Sequence, residues 1–170
     1  MREPDAGEVY RELAPAVLGY LRAQRVPDPD DALGEVFLAV ARDLGRFRGD
    51  DAARRRWVFT IAHHRAADAH RRASRQARAG ALPAPPPVEA PEPADTALWS
   101  ALAALAGDQR DVLALRFVAD LPIEAVARIT SRTKGAVKAL QHRGLENLRR
   151  SLRESGAGPY PPGPPERLPR

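Results

Sequence analysis

Apolar residues recur at intervals of three and four along most of this chain, the signature of helices that bury one face. Val9, Leu13, Val17, Tyr20 and Leu21 mark a first helix over residues 8–23. After the break at Pro27-Asp28-Pro29, Leu33, Val36, Phe37, Val40 and Leu44 mark a second, with Asp30 or Asp31 placed to cap its start and Gly45 to end it. The run RFRGDDAARRR leads into a third helix, WVFTIAHHRAADAHRRASR, in which Trp57, Ile61 and Val58 are expected to face the core. Further on, Asp95 or Thr96 can cap a helix through Leu98, Trp99, Leu102 and Leu105, and another is predicted over 108–119. No period-two run of a strand stands out, and no internal repeat. The expected fold class is all-α.

Residues 121–150, LPIEAVARITSRTKGAVKALQHRGLENLRR, read as a helix-turn-helix. Ala127 is the small residue the first helix needs where the second crosses it. Thr130-Ser131-Arg132 form a short polar connector, and the Thr133 hydroxyl can cap the second helix. Val137, Leu140, Leu145, Leu148 and Leu152 hold that helix down. Its outward face carries Lys134, Lys138, Gln141, His142, Arg149 and Arg150, and only Glu146 is acidic between Arg132 and Arg153. A solvated structural helix usually mixes signs for pairing. A basic helix that exposes Gln141, a residue able to bond adenine with both amide groups, suits a DNA major groove.

Two segments interrupt the helical pattern. Residues 79–97, AGALPAPPPVEAPEPADTA, are blocked from helix and sheet by proline and carry only Glu89, Glu92 and Asp95 as charges. Residues 155–170, SGAGPYPPGPPERLPR, are similar. The predicted organisation is therefore a first helical domain over 8–78, a Pro-rich acidic linker over 79–94, a second helical domain over 95–154 and a disordered tail over 155–170.

The formal net charge of +5 fits a phosphate-rich partner. Arginine outnumbers lysine 25 to 2, which reflects GC-rich coding as well as function, so the placement of charge carries more weight than its total. The absence of cysteine excludes disulfide staples and thiolate metal sites. With no apolar leader and no long apolar run, the expectation is a cytoplasmic protein without membrane insertion.

Between Arg42 and Arg78 there are eleven arginines against four acidic residues, interleaved with Trp57 and Phe59. Charge that follows phosphates, beside flat rings on which bases stack, is what single-stranded nucleic acid needs. Each ring alone also fits a core. The clustered arginines Arg54, Arg55, Arg56, Arg65, Arg71 and Arg72 repel one another and call for a compensating partner. His64 and Asp68 share a helix face, but two ligands do not make a metal or catalytic site. No Gly-rich phosphate loop or activated nucleophile occurs. No cofactor, metal or enzymatic activity is expected.

Over residues 8–154 the chain resembles the extracytoplasmic-function (ECF) group of bacterial RNA polymerase sigma factors. In the first block DDALGEVFLAVARDLGRFRGD and WVFTIAHHRAADAHRR look like region two of that family, through Phe47, Arg48, Gly49, Trp57, Ile61, Ala62, Asp68, Arg71 and Arg72. In the second, DQRDVLALRFVADLPIEAVARIT with the helix from Thr133 looks like region four. The order and spacing of these motifs around the proline linker carry the match.

The resemblance implies a factor that joins core RNA polymerase and directs it to promoter DNA. Asp31, Glu35, Phe37 and Asp43 fall on the implied polymerase contact. Arg54, Arg55, Arg56, Trp57, His64, Arg65, Asp68, Arg71 and Arg72 fall on the implied minus-ten surface. Arg132, Thr133, Lys134, Lys138, Gln141, His142 and Arg143 fall on the implied reader of the duplex minus-thirty-five element. An anti-sigma protein is a further partner compatible with the family. The chain departs from the family pattern at Gly34 (usually Gln), at His63-His64 (usually Asn after Ile-Ala), at Ser131 (often Gly) and at Lys134 (often Pro). The competing reading is a stand-alone helix-turn-helix regulator whose first block dimerises or senses a signal.

Overall fold

The computed structural model describes residues 5–80 and 93–155, with side chains from residue 97 onward in the second stretch. It contains helices α1 (Ala6–Ala23), α2 (Pro29–Asp43), α3 (Asp51–Arg78), α4 (Pro93–Ala103), α5 (Gly107–Leu113), α6 (Ile123–Ile129) and α7 (Lys134–Glu154). A 3-10 turn at Leu44–Arg46 follows α2, and a wide π turn at Ala114–Val118 follows α5. The described residues contain no strand.

Local chemistry sets the helix ends. Asp5 caps α1 and exchanges bonds with Glu8 in a capping box. The cap of α2 is Asp28, whose Oδ1 accepts from the Asp31 amide at 2.9 Å, ahead of the expected Asp30 or Asp31. Pro29 explains the shift: its fixed φ and missing N–H suit the first helical position, so the cap moves in front of it. Gly45 does not end α2; it lies inside the 3-10 turn. Asp50 caps α3, accepting from the Ala53 amide at 2.7 Å. Arg54, Arg55 and Arg56 therefore sit in the first turns of a 28-residue helix rather than in a lead-in loop. Helix α4 begins at Pro93, ahead of the expected Asp95 or Thr96.

Helices α1, α2 and α3 share one core. Val9, Leu13, Val17, Tyr20 and Leu21 of α1 are fully buried against Val36 and Val40 of α2 and Val58 and Phe59 of α3. Phe59, rather than Trp57, is the aromatic ring at the centre. Trp57 and Ile61 flank the core, half-buried.

In the second half α5, α6 and α7 pack around Val112, Leu113, Leu115, Leu121, Val126, Val137 and Leu140. The helix predicted over 108–119 divides: α5 stops at Leu113, and the amide of Ala119 reaches the Ala114 carbonyl at 3.0 Å to close the π turn. The predicted helix-turn-helix is present. Ala127 is buried under α7, and the Thr133 hydroxyl accepts from the Ala136 amide at 3.1 Å. Ser131 turns the chain in the left-handed region (φ +54°), and the Arg132 amide then reaches the Ala127 carbonyl at 2.8 Å. The family's frequent glycine at this position has its physical reason in that φ.

The two halves are not separate bodies on a string. One apolar core runs through both: Gly19 of α1 abuts Val118 and Trp99, where a Cβ would stand 3.3 Å and 3.6 Å from them. The predicted linker over 79–94 falls mostly on residues 81–92, and the predicted tail on 156–170; both lie outside the described residues.

A matched pair of glycines in α7 tests the packing. Gly144 faces Leu113, with its hypothetical Cβ 3.1 Å from two side-chain carbons, whereas Gly135 is in the open. Gly144→Val should destabilise by about 1–3 kcal/mol through overpacking. Gly135→Ala should instead stabilise by up to about 1 kcal/mol through helix propensity. Urea unfolding of the two variants should move the midpoint in opposite directions.

Candidate nucleic-acid interface

Helix α3 carries the basic cluster, and the structure sorts its arginines by what they touch. Arg54 is buried and bonds Glu12 at 3.2 Å and Asp51 at 3.0 Å. This corrects the expectation that it faces a ligand: it ties the start of α3 to α1. Arg55 lies over the Phe59 ring and donates through Nε to the Ala119 carbonyl at 2.6 Å. Arg72 forms a forked pair with Glu35 of α2, at 3.0 and 3.1 Å, and Arg65 approaches the same carboxylate at 3.9 Å. Asp68 bonds Arg71 and stands 3.9 Å from Arg65. Part of the expected repulsion among these arginines is thus compensated inside the chain, by acids on α1, α2 and α3. Arg56 and Arg75 have no ion pair among the described residues, and His64 is exposed.

Trp57 stacks on Phe47 with ring centres 5.0 Å apart and planes 20° apart. The Phe47-Arg48-Gly49 corner places that stack. Gly49 lies so close to its neighbours that a Cβ would fall 2.8 Å from Ala53 Cβ and 3.0 Å from Phe47 Cζ. A flat, half-buried aromatic pair beside Arg56, which has no ion pair among the described residues, offers stacking and charge together.

On α2 the exposed stripe is Asp31, Gly34, Glu35, Leu38 and Arg42, one helical face. Phe37 points the other way. It is buried and meets the Tyr10 ring edge-on at 4.8 Å, so it supports the helix rather than contacting a partner directly. Asp43 is held by Arg42 at 2.8 Å, which keeps its carboxyl below the usual carboxylate range. Leu38, 73% exposed at the centre of the stripe, was not among the expected contacts. Its helical spacing from Asp31 was the available signal. Gly34 leaves open space where the family usually has Gln.

Helix α7 presents Lys134, Lys138, His142 and Arg143 to solvent. Lys134 pairs with Glu124 at 3.1 Å, His142 with Glu146 at 3.4 Å and Arg132 with Asp108 at 2.7 Å. Lys138 makes no ion pair among the described residues. Gln141 differs from expectation, because its carbonyl oxygen accepts from Arg116 Nε at 3.1 Å. That bond ties α7 to the π turn and turns the Gln141 carbonyl toward the protein, so both amide groups cannot meet a base together. Thr133 likewise has its hydroxyl engaged in the cap.

Two family models match the chain: Sigma-70 region 2 over residues 9–76 and Sigma-70, region 4 over residues 101–150. The chain is 32% identical to the ECF RNA polymerase sigma factor SigD of Mycobacterium tuberculosis, the match covering 88% of this chain and 77% of SigD. It is also 32% identical to the ECF RNA polymerase sigma factor ShbA of Streptomyces griseus, covering 86% and 88%. The chain belongs to the ECF group of RNA polymerase sigma factors.

Solved structures of similar fold include the sigma factor RpoE in complex with the anti-sigma factor NepR from Bartonella quintana. That likeness has a TM-score of 0.71 and 19% identity and covers 86% of this chain and 96% of that one. CnrH in complex with the cytosolic domain of CnrY has a TM-score of 0.62 and 21% identity, covering 88% of both chains. As an alternative sigma factor the protein binds core RNA polymerase, recognises promoter DNA and promotes transcription initiation. Among the described residues no helix of this sigma factor is long and apolar enough to cross a membrane.

The Glu35–Arg72 fork has a definite pH signature. The hydrogen bonds from Arg72 hold the Glu35 carboxyl below its ordinary value. A depressed carboxylate stabilises the fold above its unfolded pKa and loses that contribution as pH falls through the folded one. Glu35→Gln should therefore lower the thermal midpoint at neutral pH, and the difference from the parent should shrink as pH falls below about 4, the ordinary glutamate range. A deficit that persists in acid would show that the fork does not stabilise the fold.

Proposed function

We propose that the sigma factor divides promoter recognition between its halves. Residues 8–78 meet the polymerase and capture the opened minus-ten strand, and residues 95–154 hold the minus-thirty-five element as duplex. The observation that carries this reading is the presence of two separate exposed basic helix faces, on α3 and on α7, with a stacked aromatic pair, among the described residues, beside the first and not the second. Unstacking bases costs a few kcal/mol per step, which stacking on Trp57 and contacts to Arg56, His64, Arg65, Arg71 and Arg72 offset. Lys138, Arg143, His142, Lys134 and Arg132 are the candidates for duplex contact, with Lys138 and Arg143 foremost because neither makes an ion pair among the described residues. Arg55, Asp68, Thr133 and Gln141 reach DNA only by exchanging the bonds they make in the free chain.

The stripe Asp31–Glu35–Leu38–Arg42 fits the polymerase side, an apolar centre in a charged rim. The factor acts without covalent chemistry of its own, in the cytoplasm where polymerase and promoters are. An anti-sigma protein covering the same faces is a further partner in this reading. Its support is that similar folds were solved with NepR and with the CnrY cytosolic domain.

Core polymerase should capture the purified factor, and the holoenzyme should give run-off transcripts. Tight duplex binding without core, and no transcript with it, would overturn the reading. Lys138→Ala should weaken upstream-element binding and reduce the salt slope by about one, while opening of a pre-melted bubble survives. Arg71→Ala with Arg72→Ala should do the reverse. Equal loss of both activities in either variant would refute the division of labour.

Gly34 gives an independent check of the polymerase face. Gly34→Gln adds a side chain into open space, so it should fold normally and gain roughly 0.5 kcal/mol of helix propensity. Any change in affinity for core polymerase then reports contact at that stripe, and an unchanged affinity would remove it from the interface.

A further inference from the structure

We propose that Glu35 couples the two partners of the first half. A basic group of the polymerase that meets this carboxylate loosens Arg72 and Arg65 for the opened strand, and the strand in turn frees Glu35 for the polymerase. The coupling rests on the two-part reading above, in which α2 faces the polymerase and α3 the strand.

The two faces share one open groove. Glu35, Leu38 and Arg42 line it from α2, and Arg65, Arg72 and Arg75 from α3. Counted in helical turns from Trp57, the residues His64, Asp68, Arg71 and Arg75 continue its stripe along α3. Arg65 and Arg72 stand to one side of that stripe, toward α2, where Glu35 meets them. Arg72 donates Nη1 to Oε1 at 3.0 Å and Nη2 to Oε2 at 3.1 Å, and Arg65 Nε lies 3.9 Å from Oε2. Arg71 is held differently, by Asp68 of its own helix.

Glu35 belongs equally to the exposed stripe of α2. It lies one helical turn from both Asp31 and Leu38 and keeps 28% of its side chain open to solvent, so a partner can reach it. Arg42 is already paired with Asp43, whereas Asp31 makes no ion pair among the described residues. The unmatched charge of the stripe is therefore negative, and a complementary partner brings cations.

One carboxylate then serves three cations. Its lone pairs suffice for a further donor, so the newcomer need not push Arg72 out. It repels Arg72 and Arg65 nonetheless, since a single negative charge now balances three positive ones, and the fork weakens. The hydrogen bonds from Arg72 are the chief influence on the Glu35 carboxyl in the free chain, which shows where that charge is spent. A strand phosphate accepts a guanidinium with the same two-point geometry and takes Arg72 at a smaller loss. Binding free energies are reciprocal, so a strand bound first favours the polymerase by the same factor.

The test measures how tightly the full-length factor binds a fluorescent single strand, taken from the opened region of a promoter mapped by run-off transcription. Binding is measured with and without core polymerase, and affinity for core is measured separately. Glu35→Gln should tighten the free factor's grip on the strand about threefold, the scale of an exposed ion pair. In an Arg72→Ala background the same substitution should add little. Core polymerase should enhance strand binding by about threefold less in Glu35→Gln than in the parent.

No gain in the free factor overturns the coupling. So does an equal gain with and without Arg72, which would report only the removal of a nearby negative charge, or an enhancement by core that Glu35→Gln leaves unchanged. Weaker core binding by Glu35→Gln without any gain in strand affinity would sink the coupling and leave α2 facing the polymerase. A gain in strand affinity with core binding unchanged would instead remove Glu35 from the polymerase face, and the coupling with it.

Discussion

Helix α1 buries five large side chains completely, and α2, α3, α4 and the π turn all lean on it. Each would otherwise expose an apolar stripe, and α1 offers all of them a surface to cover. Its stripe is wide because Val9, Leu13, Val17 and Tyr20 are joined by Leu21 and Ala14, covering more than a narrow seam. Gly19, which has no side chain, is where Val118 and Trp99 of the second half come up against α1. The same helix that founds the first core therefore sets how the second one approaches.

Around this core a few acids order many arginines. Glu12, Glu35 and Asp68 each hold arginines in place without neutralising the basic face as a whole. An ion pair exposed to water is worth little in stability, so its effect here is chiefly on geometry. A guanidinium parked on a carboxylate keeps its side chain extended over the surface, and a phosphate can take it over by exchanging one anion for another. The Arg116–Gln141 bond works similarly on α7, holding the Gln141 carbonyl against the π turn.

The helical stretches were legible in the sequence because their apolar spacing is strong, and the helix-turn-helix was legible down to Ala127 and the Thr133 cap. The differences lie where one residue overrides periodicity. Pro29 moved a cap to Asp28, and the π turn split a predicted helix, since a widened turn leaves no trace in a pattern of apolar positions. At the sites, residue type alone could not tell Arg54 from Arg56, or Phe37 from Leu38. Only three-dimensional context separates an arginine that meets Glu12 from one that meets solvent. That the halves share a core was illegible, because Gly19 and Ala119 carry no periodic signal of contact.

The π turn at Ala114–Val118 bears on how sequences of this kind can change length. It holds one residue more than a regular turn, and each residue rotates the downstream chain by about 100° about the helix axis. Deleting that residue would restore an ordinary α-helix and lengthen α5 without strain. It would also swing α6 to another side of the molecule, away from its contact with α3. An insertion or deletion here would re-aim the helices that follow, where the same change in a loop between helices need not. The bulge is in effect an angular setting, written as a single extra residue.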